Sequence, residues 1–272
     1  MSLESKLAEW EDRIALNELK KQKAPDSRLV VSRDIEKNSV TKSNALARAY
    51  YRFNLVEKRA MEALISQINP EGNSQDVLQT LTLKATDYAK VYNVTPKSAY
   101  RELEAAVSGL MHRVFSVKGV RGREEFTLMS NAQYLEGQGA ITCSFNSYIV
   151  KHLVDLHVKF TKYPLKTTAA FKSSYTWRFY ELLVSWAKHP KFTDGLFAGW
   201  CNIGVDELRK MLGVPESYQW INFKNQVIAV AQKELESNLG ISMEFKYFKT
   251  GKKITSIKII FLEQEKITLT ES

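Results

Sequence analysis

Residues 84–114, KATDYAKVYNVTPKSAYRELEAAVSGLMHRV, decide how this chain is read. Ala85 to Tyr92 forms a short helical run, and Asn93 tolerates the left-handed backbone of a tight turn. Thr95 then supplies a capping hydroxyl, and Pro96 stands where a helix needs no amide donor. Along the helix that follows, Ala99, Leu103, Ala106, Val107 and Leu110 share one arc. Lys97, Ser98, Arg101, Ala105, Ser108 and His112 share the opposite one. Two helices joined by a tight turn are a helix-turn-helix, whose second helix enters a major groove with its N-terminal residues nearest the bases. Lys97, Ser98 and Arg101 are therefore the expected contacts, and small Ala105 and Ser108 permit close approach. The plain alternative is a solvated helix face.

Working outward, NLVEKRAMEALISQI places Leu55, Ala60, Leu64 and Ile68 on one helical side, NPEGNS ends that helix, and TLTLK reads as a short strand. Downstream, RVFSVK, GVRGRE and EFTLM read as strand, basic Gly-containing turn and strand, the pattern of a winged-helix wing. Lys118, Arg121 and Arg123 cluster there, where phosphate contact is easy. Residues Leu3, Leu7, Trp10 and Ile14 predict an additional N-terminal helix, and the chain from KKQKAPDSR to about Lys42 reads as a linker.

The second half repeats this order of elements. SSYTWRFYELLVSWA is a helix, CNIGV a strand, VDELRKMLGV a short helix, and residues 217–236 a longer one. ISMEFKYFKTGKKITSIKIIFL closes the unit as a strand, turn and strand. The long helix has Trp220, Phe223, Val227, Val230, Ala231 and Leu235 on its apolar arc, which leaves Asn222, Asn225, Gln226 and Gln232 facing away beside Lys233. Asn is a poor helix former, yet its amide, like that of Gln, matches the N6 and N7 edge of adenine. Lys224, at the margin of the arc, is placed for a phosphate. The hairpin after it carries Lys246, Lys249, Lys252, Lys253 and Lys258 against one acid, with Lys252 and Lys253 at its tip. Between the halves, FNSYIVKHLVDLHVKFTKYPLKTTAAF reads as a helix and an extended Lys-rich connector. Residues 151–178 hold six basic residues, with Tyr163, Phe171 and Tyr175 interleaved, a composition that binds phosphate without reading sequence.

The totals agree with a polyanionic partner: net charge is +9 over 272 residues and the pI is near 9.3. The 44% hydrophobic content fits a folded protein of two domains, no apolar run could span a bilayer, and the acidic amphipathic start is neither a secretory signal nor a transit peptide. A cytoplasmic location is expected. Cys143 and Cys201 are read as core thiols. No phosphate-cradling loop, His-x-His pair or His-Glu-x-x-His occurs, so no catalytic residue, metal or cofactor is assigned. Glu124 and Glu125 sit in a turn without a catalytic partner.

With two winged helices in tandem, the chain resembles the iteron-binding replication initiators (Rep proteins) of theta-replicating bacterial plasmids. The resemblance covers about residues 40–262 and is carried by VTKSNALARAYYRFNLVEKRAMEALISQI, ITCSFNSYIVKHLVDL, FTKYPL, SSYTWRFYELL, FKNQVIAVAQKELE and YFKTGKKITSIKIIF, in that order. It implies that both domains bind a repeated origin sequence in double-stranded DNA. It also implies that a monomer opens the adjacent A·T-rich region and recruits the host helicase machinery, that a dimer represses its own gene, and that the protein is not an enzyme. In that family basic residues commonly follow the Phe that here is Phe223. This chain departs there, with Lys224 followed by Asn225 and Gln226.

The expected fold is therefore α+β: two tandem winged helices, each a helix-turn-helix plus β-hairpin wing, with an extra N-terminal helix. The divisions are 1–40, 41–163 and 164–272. A winged-helix transcriptional repressor without an initiation role needs the same surfaces, and only the DNA beside the gene separates the two. A strand-nicking enzyme using one of the tyrosines would leave a covalent adduct, and it lacks the histidine pair.

Overall fold

The first helix-turn-helix forms as its residues dictate. The computed structural model describes residues 34–119, 121–156, 159–189 and 197–263, and the N-terminal helix expected around Trp10 lies outside them. Strand β1 (Ser39–Ser43) leads to a short helix α1 (Asn44–Ala47), capped by the Ser43 side chain. Helix α2 (Leu55–Ile65) opens on a capping box in which Asn54 accepts from the Glu57 amide and Glu57 accepts from the Asn54 amide. Helix α3 (Ser74–Leu78) and strand β2 (Leu81–Lys84) bring the chain to α4 (Ala85–Tyr92) and α5 (Pro96–Met111). Asn93 takes the left-handed turn at φ 50°, and the Thr95 hydroxyl accepts from the Ser98 amide at the start of α5. Ala99, Leu103, Ala106 and Leu110 are buried, as their spacing requires.

The strands after α5 differ from expectation. β3 (Val114–Gly119) and β4 (Gly122–Thr127) form a hairpin, with Lys118 opposite Arg123, but it is a two-stranded sheet by itself. The hairpin that completes the three-stranded sheet is the next one, β5 (Met129–Leu135) and β6 (Ala140–Phe145), with β6 central between β2 and β5. So the first wing is β5–β6, and the basic hairpin is an insertion ahead of it. Local alternation marks a hairpin but does not say which strand it will pair with. The true wing is held by the helix-turn-helix: the Gly139 amide donates to the Tyr100 hydroxyl of α5 at 3.0 Å. At Gly139, φ 60°, an added Cβ would stand 2.7 Å from the Tyr100 ring.

The supposed connector is also structural. FNSYIVKH makes a 3-10 helix (Ser147–His152) rather than an α-helix, and β7 (Phe160–Pro164) pairs antiparallel with β1 along its full length. Tyr163 and Phe171 are buried in the core and Arg178 is buried in the next helix. A large ring gains more from burial than from display on a solvated tether, which is why the aromatic-basic composition misled. Lys42, expected at the end of a linker, is a buried residue of β1.

The second unit follows: α6 (Ser174–Trp186), β8 (Ala187–His189), β9 (Ala198–Gly204) and α7 (Val205–Met211). Helix α8 comprises Trp220–Asn222, a π-helical stretch Phe223–Ile228 and Ala229–Leu239, and strands β10 (Ile241–Thr250) and β11 (Lys253–Glu263) close the unit. Its sheet runs β10-β11-β9-β8, the same relation of strands to helices as β5-β6-β2 in the first. The protein is thus an α+β fold of two tandem winged helices. Helix α8 starts three residues later than its pattern suggested and ends at Gly240, φ 68°. Phe223, Val227, Ala231 and Leu235 are buried as expected, whereas Ile228 replaces Val230, which is 40% exposed. The free thiols of Cys143 and Cys201 are both buried, which pushes each up to about 12. One hydrophobic core runs through both units.

Candidate nucleic-acid interface

Helix α5 presents Lys97, Arg101 and Ser108 to solvent, with Ala105 between them. Ser98 is half-buried because it belongs to the cap, where its Oγ accepts from the Thr95 hydroxyl at 2.9 Å. That leaves its own proton free to donate. His112 closes the outer face, with Nδ1 donating to the Ser108 carbonyl at 2.7 Å. The first turn of α5 carries no acid, so the positive end of the helix dipole adds to Lys97 in attracting a phosphate.

Lys118, Arg121 and Arg123 are all exposed on the inserted hairpin, which packs beside α1. Arg123 is engaged with Glu125 at 2.8 Å, and Glu124 with Lys151 at 2.5 Å. The two acids thus have basic partners on and beside strand β4 rather than standing alone in a turn. The Lys151 ammonium bound to Glu124 holds that carboxyl below its usual range. Lys118 lines the cleft between the two units, across from Asn202 and Glu207.

On the second unit, Lys224, Asn225, Gln226 and Lys233 are exposed on α8, and Asn222 is half-buried. Gln232 does not face away: its amide donates to the Met243 carbonyl at 3.0 Å and ties α8 to β10. The exposed polar face is therefore concentrated in the N-terminal half of the helix, with Lys233 about 13 Å farther along the axis than Lys224. Lys224 leans over the Tyr247 ring at 6.0 Å, which brings it to the hairpin side. Lys249, Lys252 and Lys253 are exposed at the hairpin end and line one open groove of about 900 Å³ with Trp220 at the start of α8. Of the other hairpin lysines, Lys246 pairs with Glu244 at 3.4 Å and Lys258 lies over Trp200 at 5.2 Å.

The structure thus gathers Lys97, Ser98 and Arg101 at one helix start, and Lys224, Lys249, Lys252 and Lys253 around another. It sets Lys118, Arg121 and Arg123 apart on the insertion. Lys97, Arg101, Lys118, Arg121, Lys249 and Lys252 form no ion pair among the described residues, so their charge is available to an external anion. Two residues escaped sequence reading. Lys210 is exposed at the end of α7 and lines the same groove as the hairpin lysines. Arg209 donates to the carbonyls of Pro215, at 3.2 Å, and Tyr218, at 2.5 Å, so it shapes the turn before α8. Basic residues in the last turn of α7 were the available signal.

Among the described residues, no group of three His, Cys, Asp or Glu could hold a metal, and no helix is long and apolar enough to cross a membrane.

Comparison with known proteins agrees with this architecture. Residues 39–184 match the family model described as "Initiator Replication protein, WH1", and residues 204–261 match "Initiator Rep protein, WH2". A "Replication initiation protein" of Escherichia coli is 26% identical over 202 residues, which cover 73% of this chain and 62% of that relative. The chain therefore spans less than two thirds of the relative it matches. A solved structure, "Crystal structure of Pi initiator protein in complex with iteron DNA", superposes with a TM-score of 0.66 at 22% identity, covering 85% of this chain and 99% of the other. At that identity the likeness establishes the fold. With the two models together matching most of the described residues in the order in which the two winged helices occur, the chain belongs to the Rep3 family of initiator replication proteins.

Proposed function

We propose that this chain is a sequence-specific double-stranded DNA-binding initiator of plasmid replication. In this reading it binds direct repeats (iterons) at an origin, promotes origin opening, recruits the host helicase in the bacterial cytoplasm, and as a dimer represses its own gene. The observation that carries it is the presence, twice in one chain, of a helix-turn-helix whose second helix turns a polar face outward. Family membership and the iteron DNA bound by the Pi initiator support the same reading.

Asn222, Asn225 and Gln226 are assigned to base edges, and Lys97, Ser98, Arg101 and Ser108 to the second half of the site. Lys118, Arg121, Arg123, Lys224, Lys233, Lys249, Lys252 and Lys253 are assigned to phosphates. We place the division between the DNA-binding units at 41–163 and 164–272, after a leading segment of 1–40. The protein acts by binding, without a catalytic step.

Footprinting on the DNA surrounding the gene tests the proposal. Protection of tandem direct repeats is expected. Protection of a single inverted repeat would favour a repressor without an initiation role, and protection of neither would refute the reading.

A further inference from the structure

One guanidinium holds parts of both winged helices. Arg178 on α6 is 3% exposed. Its Nη1 donates to the Ala47 carbonyl at 2.9 Å, the Tyr51 hydroxyl at 2.6 Å and Glu181 Oε2 at 2.7 Å. Nη2 donates to the carbonyls of Ala49 at 2.9 Å and Met211 at 2.8 Å, and Nε donates again to Met211 at 3.1 Å. The guanidinium also lies 4.0 Å from the centre of the Tyr51 ring.

Two of these partners lead to elements assigned above to DNA. Next to Ala49, Tyr50 exchanges both backbone hydrogen bonds with Ser116 of β3, at 2.8 and 3.0 Å, at the root of the hairpin that bears Lys118. Met211 ends α7, and two residues later Gly213, at φ 66°, turns the chain toward α8. A Cβ at Gly213 would stand 2.6 Å from the Tyr51 carbonyl oxygen and 3.1 Å from Arg52 Cα, so backbone meets backbone at this joint. Glu181, which orients the guanidinium, is itself held by Lys42, Lys58 and the Tyr163 hydroxyl, all buried.

A buried ionic cluster is weak evidence for net stability; its best-attested use is to fix one geometry. An ammonium could not replace this planar fork of donors. We propose that Arg178 is a specificity-determining positioning residue. It fixes α8 relative to the inserted hairpin of the first unit, so that the protein accepts one spacing between the two halves of its DNA site. The inference rests on the DNA-binding function proposed above and adds to it a constraint on the site.

Inserting or deleting one base pair between the halves displaces one by about 3.4 Å and rotates it by roughly 35°. Full-length protein is titrated against the footprinted repeat and against repeats lengthened or shortened by one base pair. The parent is expected to lose about thirtyfold or more in affinity on altered spacing. Arg178→Lys and Gly213→Ala bind the natural repeat less tightly and discriminate spacing by less than about threefold. Leu182→Ala, which empties core space on the same helix, keeps the parent's discrimination. Circular dichroism confirms that each variant is folded at the assay temperature, and if Arg178→Lys does not fold, Gly213→Ala opens the same joint without removing a buried charge. A parent that protects no repeat sinks the DNA reading and this inference with it. A parent that protects a repeat yet tolerates altered spacing, or variants that discriminate as the parent does, overturn the inference alone.

Discussion

Replacing Glu181 by Gln removes a single charge from the cluster that joins the two winged helices, with almost no change in shape. Glu181 meets Lys42, Lys58 at 2.8 Å and Arg178 at 2.7 Å, and all four side chains are at most 4% exposed. Glu62 is the other acid, bound by Lys42 at 2.7 Å and by Lys58 at 2.5 Å. After the substitution three buried cations face Glu62 alone. Breaking a buried pair by removing one partner costs about 3–5 kcal/mol, a large part of the 5–15 kcal/mol typical of a folded domain. With a urea m-value of about 3 kcal/mol/M, the midpoint falls by about 1–1.7 M. Adding Lys58→Met restores the parent's excess of one positive charge, so the double variant is expected to recover at least about 1 kcal/mol relative to the sum of the single losses. Acid titration gives an independent check. Burial opposes the ionisation of Glu181, but Lys42, Lys58 and Arg178 more than offset it and hold the carboxyl well below 4.5. A depressed carboxylate contributes stability that is present above its unfolded value and lost as pH falls through the folded one. The parent therefore weakens below about pH 4.5 more steeply than Glu181→Gln. A loss under about 1 kcal/mol, with an unchanged acid limb, would refute the idea that this cluster organises the joint.

The other predictions concern the DNA surfaces and one buried imidazole. Asn225→Ala and Gln226→Ala are each expected to weaken binding to the cognate repeat by about 1–3 kcal/mol and to relax base preference; variants that bind the cognate and a scrambled site just as the parent does would remove α8 as the reader. Lys252→Ala with Lys253→Ala should weaken all DNA alike and lower the slope of log affinity against log salt by about 2, read from titrations at several salt concentrations. His152 stacks 6.0 Å from the Phe126 ring and meets Ser43 Oγ at 2.8 Å through Nδ1, and burial, reinforced by Lys151, pushes it from 6.5 down to about 4. The unfolded chain takes up this proton first, so stability falls by on the order of 2 kcal/mol as pH drops from 6.5 to 4, and His152→Asn should flatten thermal midpoints across that window.

What was legible in the chain was what neighbouring residues determine among themselves. Asn93, Thr95 and Pro96 specify a turn and a helix start with no distant help, and Asn54 with Glu57 does the same for α2. The exposed positions of Lys97, Arg101, Asn225 and Gln226 followed from helical period alone. Pairings across long distances were not legible. Ser39 lies opposite Pro164, and nothing local tells a polar pentapeptide that its partner strand arrives so much later. The choice between β3–β4 and β5–β6 as the wing was hidden for the same reason, since β2 decides it by pairing with β6. Lys42 and Arg178, read from composition as parts of a polar linker and a Lys-rich connector, are buried because Glu62 and Glu181 neutralise them, and for Lys42 both acids lie on other elements.

The π-helical stretch bears on why amides stand on α8. Its buried residues Phe223, Val227, Ala231 and Leu235 recur every four positions, and a regular α-helix would carry such a set around its axis by about 40° per step. After three steps the set would no longer face one core. Bonds of the i→i+5 type over Phe223–Ile228 wind more slowly, which brings the four-residue spacing back into line. The same widening leaves Lys224, Asn225 and Gln226 as three consecutive exposed residues between buried Phe223 and Val227. A side chain in that position contributes nothing to packing, and Asn is a poor choice there for helix propensity. Of the four outward amides anticipated, Gln232 has a structural task in binding Met243, whereas among the described residues no side-chain hydrogen bond occupies Asn225 or Gln226. Selection for stability accounts for Gln232. For Asn225 and Gln226 it would favour Glu, Lys or Ala, and the proposed pairing of their amides with the edge of adenine supplies the reason that packing does not.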